Sequence, residues 1–255
     1  MDLDSLRTAL VNSLFAKKHR GDFVLRINDT NIKNFSSQDS KIILDTFSWL
    51  KITINDGPFS TSTRTEVYQA ALQELINNQK VYRCFCPADI LERRREQQIM
   101  MGKSFRYDRS CLLFSQEKIK QKVAFGLPFI WRLKINEFQT LSIQDLDQKT
   151  IDFPMTNVSD PALTNPDGIV TNLFAQFIDD WKLGITHLIY SKKHLSDTTL
   201  FVAFYDTFSL TPPTFWHLPI LSPNKVIKLA SRSADLSAAE FSQLEVECSK
   251  LLLLK

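Results

Sequence analysis

Apolar positions recur at spacings of three and four along several stretches of this chain, with short unbroken apolar runs between them. Leucines and alanines over residues 3–18 predict a first helix, with Asp4 or Ser5 placed to cap it. Phe23-Val24-Leu25-Arg26-Ile27 then predicts a short buried strand, ended by the turn-forming Asn28-Asp29-Thr30-Asn31. The helical period returns over 38–50 and 62–78, and again over 236–254, where it ends in four leucines. Phe129–Leu133, His187–Tyr190 and Trp216–Ile220 read as further strands. Strands alternating with helices predict an α/β fold with a mostly parallel sheet covered on both faces. Pro161, Pro166 and Pro212-Pro213 mark turns, and neither an internal repeat nor a low-complexity linker interrupts the pattern.

Composition narrows the picture. A chain of 255 residues with 44% hydrophobic and 23% charged residues suits a soluble globular body, one elaborated domain or two tightly joined ones. No apolar run approaches membrane-spanning length, so no membrane partner is expected. Asp2 and Asp4 precede the first apolar stretch, which argues against a secretory signal or a mitochondrial presequence. The net charge of +3 permits a polyanionic partner without demanding one. Cys248 stands far from Cys84, Cys86 and Cys111, so the four cysteines do not form a disulfide framework. The expected compartment is reducing, cytoplasm or an organelle matrix.

Two kinds of local chemistry stand out. Cys84-Phe85-Cys86 and Cys111 offer three thiols that can hold zinc; the alternative is three buried, reduced cysteines with Tyr107 in the core. Basic runs at Lys17-Lys18-His19-Arg20, Arg93-Arg94-Arg95, Lys118/Lys120/Lys122 and Lys192-Lys193-His194 can contact phosphates. Taken singly each suits a solvated face, and Glu92, Glu96 and Glu117 dilute two of them. His187 and His217, in apolar strand-like contexts, are expected to be core histidines.

Ordered blocks along nearly the whole chain resemble the catalytic half of class I glutamyl-tRNA synthetases. Leu6-Arg7-Thr8-Ala9-Leu10 is similar to the helix after the HIGH motif, and Leu25-Arg26-Ile27-Asn28-Asp29-Thr30-Asn31 resembles the RIEDTD block. Asp56-Gly57-Pro58, Asp167-Gly168, Asp179-Asp180, Gly184-Ile185-Thr186-His187 and His217-Leu218-Pro219 follow in family order. The resemblance implies a Rossmann-type catalytic domain split by an α+β insertion that grips the tRNA acceptor end. Its first half would span 1–80, without the first strand, and the insertion 81–165. The second half would span 166–233 with a KMSKS-like loop, then a terminal helix over 234–255 and no anticodon-binding domain. It also implies a structural zinc held by Cys84, Cys86, Tyr107 and Cys111, and it places Thr30 near the tRNA terminus with Arg93, Arg94 and Arg95 along the RNA track.

Departures from the family pattern fall where its chemistry resides. Asp2-Leu3-Asp4-Ser5 occupies the HIGH register, replacing histidine and glycines with two carboxylates that would repel a triphosphate. Asn28 replaces the glutamate that would hold the substrate ammonium, and Asn172 and Leu173 stand for a tyrosine and an asparagine of the amino-acid pocket. Tyr190-Ser191-Lys192-Lys193 replaces RGED, losing the arginine for the substrate carboxylate; a lysine there lacks the bidentate fork. In Lys228-Leu229-Ala230-Ser231-Arg232, Lys228 and Arg232 survive, the second lysine is Ser231, and His194 keeps its place. The expectation is a pseudoenzyme with no intact catalytic set and no ATP, binding a tRNA acceptor arm or a translation-related protein and not DNA. Competing readings are a glutamate–tRNA ligase of residual or altered-substrate activity through Lys192 and Lys193, and a structural subunit docking by its terminal helix.

Overall fold

The computed structural model describes residues 3–30, 37–219, 246, 248 and 249. Lys228 and Arg232, Asp2 and Asn31, and most of the helix predicted over 236–254 lie outside the described residues. The chain begins with α1 (Leu3–Lys18), β1 (Val24–Ile27), α2 (Ser37–Trp49), β2 (Asp56–Ser60) and α3 (Thr65–Asn77). Then come β3 (Val81–Cys84), α4 (Ala88–Met100), α5 (Gln116–Ala124), β4 (Ile130–Leu133), β5 (Thr140–Asp145) and β6 (Lys149–Pro154). Next follow α6 (Asn172–Lys182), β7 (His187–Ser191), α7 (Leu195–Thr207) and β8 (Thr214–Leu218).

The α/β architecture agrees with the hydrophobic pattern, with two amendments. Strands β1–β2, β5–β8 and β7–β8 pair in parallel, but β3–β4 and β5–β6 are antiparallel. The larger sheet has the order β6-β5-β8-β7. A three-residue turn joins β5 to β6, too short for the crossover a parallel pair needs. The Asp145 carboxylate closes that turn by accepting the N–H groups of Asp147 and Gln148 at 2.8 and 2.9 Å. The helix predicted over 62–78 is in fact a 3-10 turn, Thr61–Arg64, followed by α3. Gly57 marks the start of β2 with φ +98°; a Cβ there would lie 2.4 Å from the Leu25 carbonyl oxygen, so only glycine lets β2 meet β1.

The sheet is covered on both faces, and β8 shows why. Successive side chains of a strand point to opposite faces. Phe215 joins Phe174, Phe177 and Phe204 of α6 and α7 in the larger core. Trp216, the next residue, joins Leu6, Leu10 and Val11 of α1 on the other face. Asn12 holds α1 in register by donating to the Ile189 carbonyl at 3.1 Å, and Arg7 donates to the Pro219 carbonyl at 2.7 Å. Among the described residues no helix is long and apolar enough to cross a membrane.

His217 is a core histidine as expected. It is fully buried, with Nδ1 2.6 Å from Asp145 Oδ2 and Nε2 2.8 Å from Thr198 Oγ1. His187 is not: it is exposed at the start of β7, beside Thr186 Oγ1 at 3.0 Å and the Phe15 ring. The apolar run begins one residue later, at Leu188, so the strand rather than its first side chain carries the burial.

A single buried carboxylate ties distant elements together. Asp179 of α6 is 0% exposed and accepts from Arg64 Nε at 2.7 Å and from the Tyr68 hydroxyl at 2.8 Å. Arg26 Nε of β1 approaches it at 3.7 Å. Asp179→Ala is expected to lower stability by about 3–5 kcal/mol, because it strands two cations against a buried wall. A shift in urea midpoint worth less than about 1 kcal/mol would show that the carboxylate is not the anchor. A second expectation concerns acid. Burial alone would raise the Asp145 carboxyl, but bonds from His217, Gln148 and Asp147 outweigh it and hold the group below its ordinary 3.8. Its contribution is therefore present above the unfolded value and lost as pH falls through the lower folded one. The stability gap between wild type and Asp145→Asn should shrink below pH 3.8; a gap independent of pH would contradict the assignment.

Candidate functional site

A cleft of about 920 Å³ lies between α1, β1, the end of α6 and β7. Side chains from each element face it, including Asp4, Asn12, Arg26, Gln176, Asp180 and Lys193. Helix α6 supplies its wall through a polar stripe in an otherwise apolar helix. Asn172, Gln176 and Asp180 follow at intervals of four, one face of a helix, while Phe174, Phe177 and Ile178 enter the core. Of the two positions where the family has pocket residues, Asn172 lies on this polar face and Leu173 does not. Leu173 packs on the main core, because adjacent residues on a helix point about 100° apart. Gln176 takes the wall position instead, donating to the Tyr190 hydroxyl at 2.8 Å. The i, i+4, i+8 polar spacing was the signal that sequence reasoning missed.

Asp4 and Lys193, both singled out from the sequence, meet across one end of the cleft at 2.7 Å. His194 lies beside them, its Nδ1 3.1 Å from Asp197. Thr30 does not project alone: its hydroxyl sits 2.8 Å from Asn28 Oδ1 and 2.6 Å from the Asn172 side-chain oxygen. One hydroxyl proton serves one of these acceptors, and a flipped Asn172 amide supplies the other bond. Arg26 is engaged as well, donating to Thr61 Oγ1 at 3.0 Å while facing Asp179. Asp180 differs from these neighbours. Its Oδ2 is buried without a hydrogen-bond partner among the described residues; so is Ser191 Oγ, which lies on the other face of β7 from Tyr190. Burial pushes the Asp180 carboxyl up to about 7, helped by Asp179, with Arg26 and a bond from Tyr190 pulling against it.

The arginine run lies elsewhere, on the exposed helix α4. Arg93, Arg94 and Arg95 each face a carboxylate: Asp89 at 3.6 Å, Asp108 at 2.6 Å and Glu92 at 3.9 Å. Exposed pairs of this kind are worth about 0–1 kcal/mol, so a phosphate can displace the carboxylates at little cost.

The three cysteines converge between the end of β3 and the 3-10 turn Ser110–Leu113. The Sγ atoms of Cys84, Cys86 and Cys111 lie within 4.8 Å of one another, with Cys86 and Cys111 3.5 Å apart. A tetrahedral zinc with bonds of about 2.3 Å sets its sulfurs roughly 3.8 Å apart, so the donor set fits the ion. The Tyr107 hydroxyl stands 3.3 Å from Cys84 Sγ and 3.4 Å from Cys86 Sγ, where a fourth ligand belongs. The Cys111 thiol, bonding to Cys84, draws the Cys84 thiol well below its ordinary range, and the same bond holds Cys111 up. Burial keeps the Tyr107 phenol protonated, so its oxygen would meet a metal as a neutral donor unless the ion's charge removes the proton. Arg132 lies over the Tyr107 ring at 4.3 Å and borders the same cluster.

Taken together, these features define an α/β domain with a polar cleft at its sheet and a separate cluster of three cysteines. The family described as tRNA synthetases class I (E and Q), catalytic domain, matches residues 3–249. A glutamate–tRNA ligase of Coprothermobacter proteolyticus is 36% identical over 227 residues, covering 89% of this chain and 49% of that protein. One from Treponema denticola is 34% identical, covering 94% and 49%. Among solved structures, a glutamate tRNA ligase from Elizabethkingia meningosepticum, in complex with its amino acid, superposes with a TM-score of 0.80 at 26% identity. That match covers 92% of this chain and 50% of that one. The chain belongs to the class I glutamyl-tRNA synthetase family over its catalytic domain, and it spans about half the length of the curated relatives it matches.

If the cysteines hold zinc, the purified protein should carry about one ion per chain. Cys84→Ser should lose it, with Tm lowered by roughly 5–10 °C. Unchanged zinc content and Tm in that variant would remove the metal assignment and leave a core of reduced cysteines.

Proposed function

We propose that this chain is a synthetase-derived binding protein that no longer activates glutamate and that holds the acceptor arm of a tRNA. The observation that carries this reading is the Asp4–Lys193 ion pair across the cleft. In the HIGH-like register a carboxylate takes the place of groups that would stabilise a transferring phosphate. The lysine that might have offset it is already committed, and a triphosphate entering there would have to break the pair.

The amino-acid side of the cleft supports the same reading. Tyr190 stands where the family's arginine would meet a substrate carboxylate, and its hydroxyl accepts a bond from Gln176 at 2.8 Å. The alternative, a ligase working on an altered substrate through Lys192 and Lys193, is weakened by the engagement of Lys193. Retained RNA binding rests on the exposed Arg93–Arg94–Arg95 face of the insertion and on Thr30. A tRNA would be gripped through phosphates with steep salt dependence. A translation-related protein is the other partner this scaffold suits. A structural zinc at the cysteines would pin the insertion, and clustered thiols at Cys84, Cys86 and Cys111 without a disulfide fit a reducing compartment, cytoplasm or an organelle matrix.

Calorimetry with ATP, alone and with glutamate and total tRNA, paired with ATP–pyrophosphate exchange, tests the proposal. The expected outcome is no ATP heat and no exchange, while total tRNA is retained at low salt and released as salt rises. Restoring Ser231→Lys alone should leave exchange at background. Micromolar ATP binding strengthened by glutamate would overturn the reading in favour of a working ligase.

A further inference from the structure

We infer that one face of the β3–β4 pair, continued by α5, is a stacking platform for the unpaired bases of a single-stranded RNA. The inference goes beyond the proposed grip on an acceptor arm, since it uses neither the cleft nor the arginines of α4.

Strand alternation builds the platform. β3 and β4 pair so that Arg83 lies opposite Trp131, with Tyr82 opposite Arg132 and Cys84 opposite Ile130. Successive side chains take opposite faces. Tyr82 and Arg132 turn inward and donate to the Asp160 carboxylate at 2.7 Å and to its carbonyl at 2.8 Å. Arg83 and Trp131 turn the other way, and the same alternation brings Phe85 and Phe129 to their side at the strand ends. The rings meet there. Phe129 lies 5.7 Å from Trp131, edge to face, and 5.5 Å from Phe85. The Arg83 guanidinium lies over two of them, 5.1 Å from the Phe129 ring centre and 4.8 Å from that of Trp131.

Helix α5 continues the alternation of rings and cations. Lys118 and Lys122 stand one turn apart, so both project from one side of the helix. Lys122 Nζ lies 5.5 Å from the ring centres of Phe85 and Phe114, and Lys118 Nζ lies 4.3 Å from that of Phe114. All four rings are partly exposed. A cavity of about 630 Å³ opens at the Trp131 end, walled on its far side by Gln69 and Gln73 of α3. Asp167 is the one carboxylate among its lining residues, and it accepts the Ile169 N–H at 2.9 Å.

A nucleotide strand alternates in the same way. Unpaired bases stack on aromatic and guanidinium planes, and the phosphates between them seek positive charge. A base on a ring contributes more than an exposed cation lying over it, so a strand entering here gains more than it disturbs. A duplex hides its base faces and would use only the cations. A protein partner would have to bury three charges among the rings, at a desolvation cost that flexible phosphates in water do not impose. Arg83, Lys118 and Lys122 together set the salt dependence of a bound strand, a log–log slope of about −2.

Titration of the full chain with labelled hexa-adenylate and hexa-uridylate RNA, followed by anisotropy and by tryptophan emission, tests the platform. A DNA hexamer and a blunt-ended RNA duplex serve as comparisons. The RNA hexamers should bind with a slope of about −2 and quench tryptophan emission, and Trp131→Phe should remove the quench. The duplex should bind at least about tenfold more weakly than the hexamers, and Phe129→Ala should weaken the hexamers about tenfold. Lys118→Gln combined with Lys122→Gln changes only side chains on the helix surface and should reduce the slope to about −0.7; it decides the matter if Phe129→Ala fails to fold. No binding of either RNA hexamer, as a protein-docking face would give, would overturn the inference. So would duplex binding as tight as the hexamers', DNA binding tighter than RNA, a quench that persists in Trp131→Phe, or a slope unchanged in the double lysine variant. Such a failure would leave the acceptor-arm reading standing, because that reading rests on Thr30 and the α4 arginines.

Discussion

The buried carboxylate of Asp179 is the constraint on which the cleft depends. A charge without solvent is held only where several donors meet it, and here they come from elements far apart in sequence: Arg64 before α3, Tyr68 within it and Arg26 of β1. Satisfying that charge fixes the angle at which β1 and α6 face each other. β1 leads into Asn28 and Thr30, and α6 carries Gln176 and Asp180, so the cleft walls are set by a residue that is not itself on them. The same bonds explain the polarity of the site. Arg26 and Arg64 are drawn to Asp179, and the next residue along the helix, Asp180, is left with an unpartnered oxygen.

Asp4 and Lys193 bear on the cleft in a different way. Helix α1 does not need their ion pair for its position, since Leu6, Leu10 and Val11 pack against the sheet and Asn12 bonds to Ile189. The pair is partly exposed, 44% on the lysine and 22% on the aspartate, and contributes about 1 kcal/mol at most. Its effect is on what can enter. A carboxylate and a lysine that neutralise one another present little net charge to a phosphate, whereas either one alone would present a full charge. The two changes are thus intelligible as a pair and would be costly to the site separately.

Much of this was legible in the sequence because apolar periodicity reports burial directly. The helix over 3–18 and the strand after it were marked by spacing alone, and the cysteines by their proximity in the chain. The β5–β6 hairpin escaped because Asp145, a residue that reads as surface, is 4% exposed and serves His217. Burial of a polar side chain depends on its partner, and a partner 72 residues away leaves no trace in local pattern. His187 failed in the other direction, since the apolar run it opens lends it the look of a core residue. On α6 the cleft is lined by Gln176, a residue that only the helical repeat of polar positions marks and that the family blocks do not single out.

The insertion and the cleft obey one rule with opposite results. In the insertion, Asp160 is 1% exposed yet accepts from Tyr82 at 2.7 Å and from Arg109 at 2.6 Å, so its charge is fully matched. The neighbouring cysteines then gather around Tyr107 in a donor set complete enough for a metal. In the cleft, the equivalent matching stops one residue short, at Asp180. A fold that satisfies Asp145, Asp160 and Asp179 with such care has the means to satisfy a fourth buried carboxylate. At Asp180 it does so only in part: Arg26 and a bond from Tyr190 draw the carboxyl down, while burial holds it up to about 7.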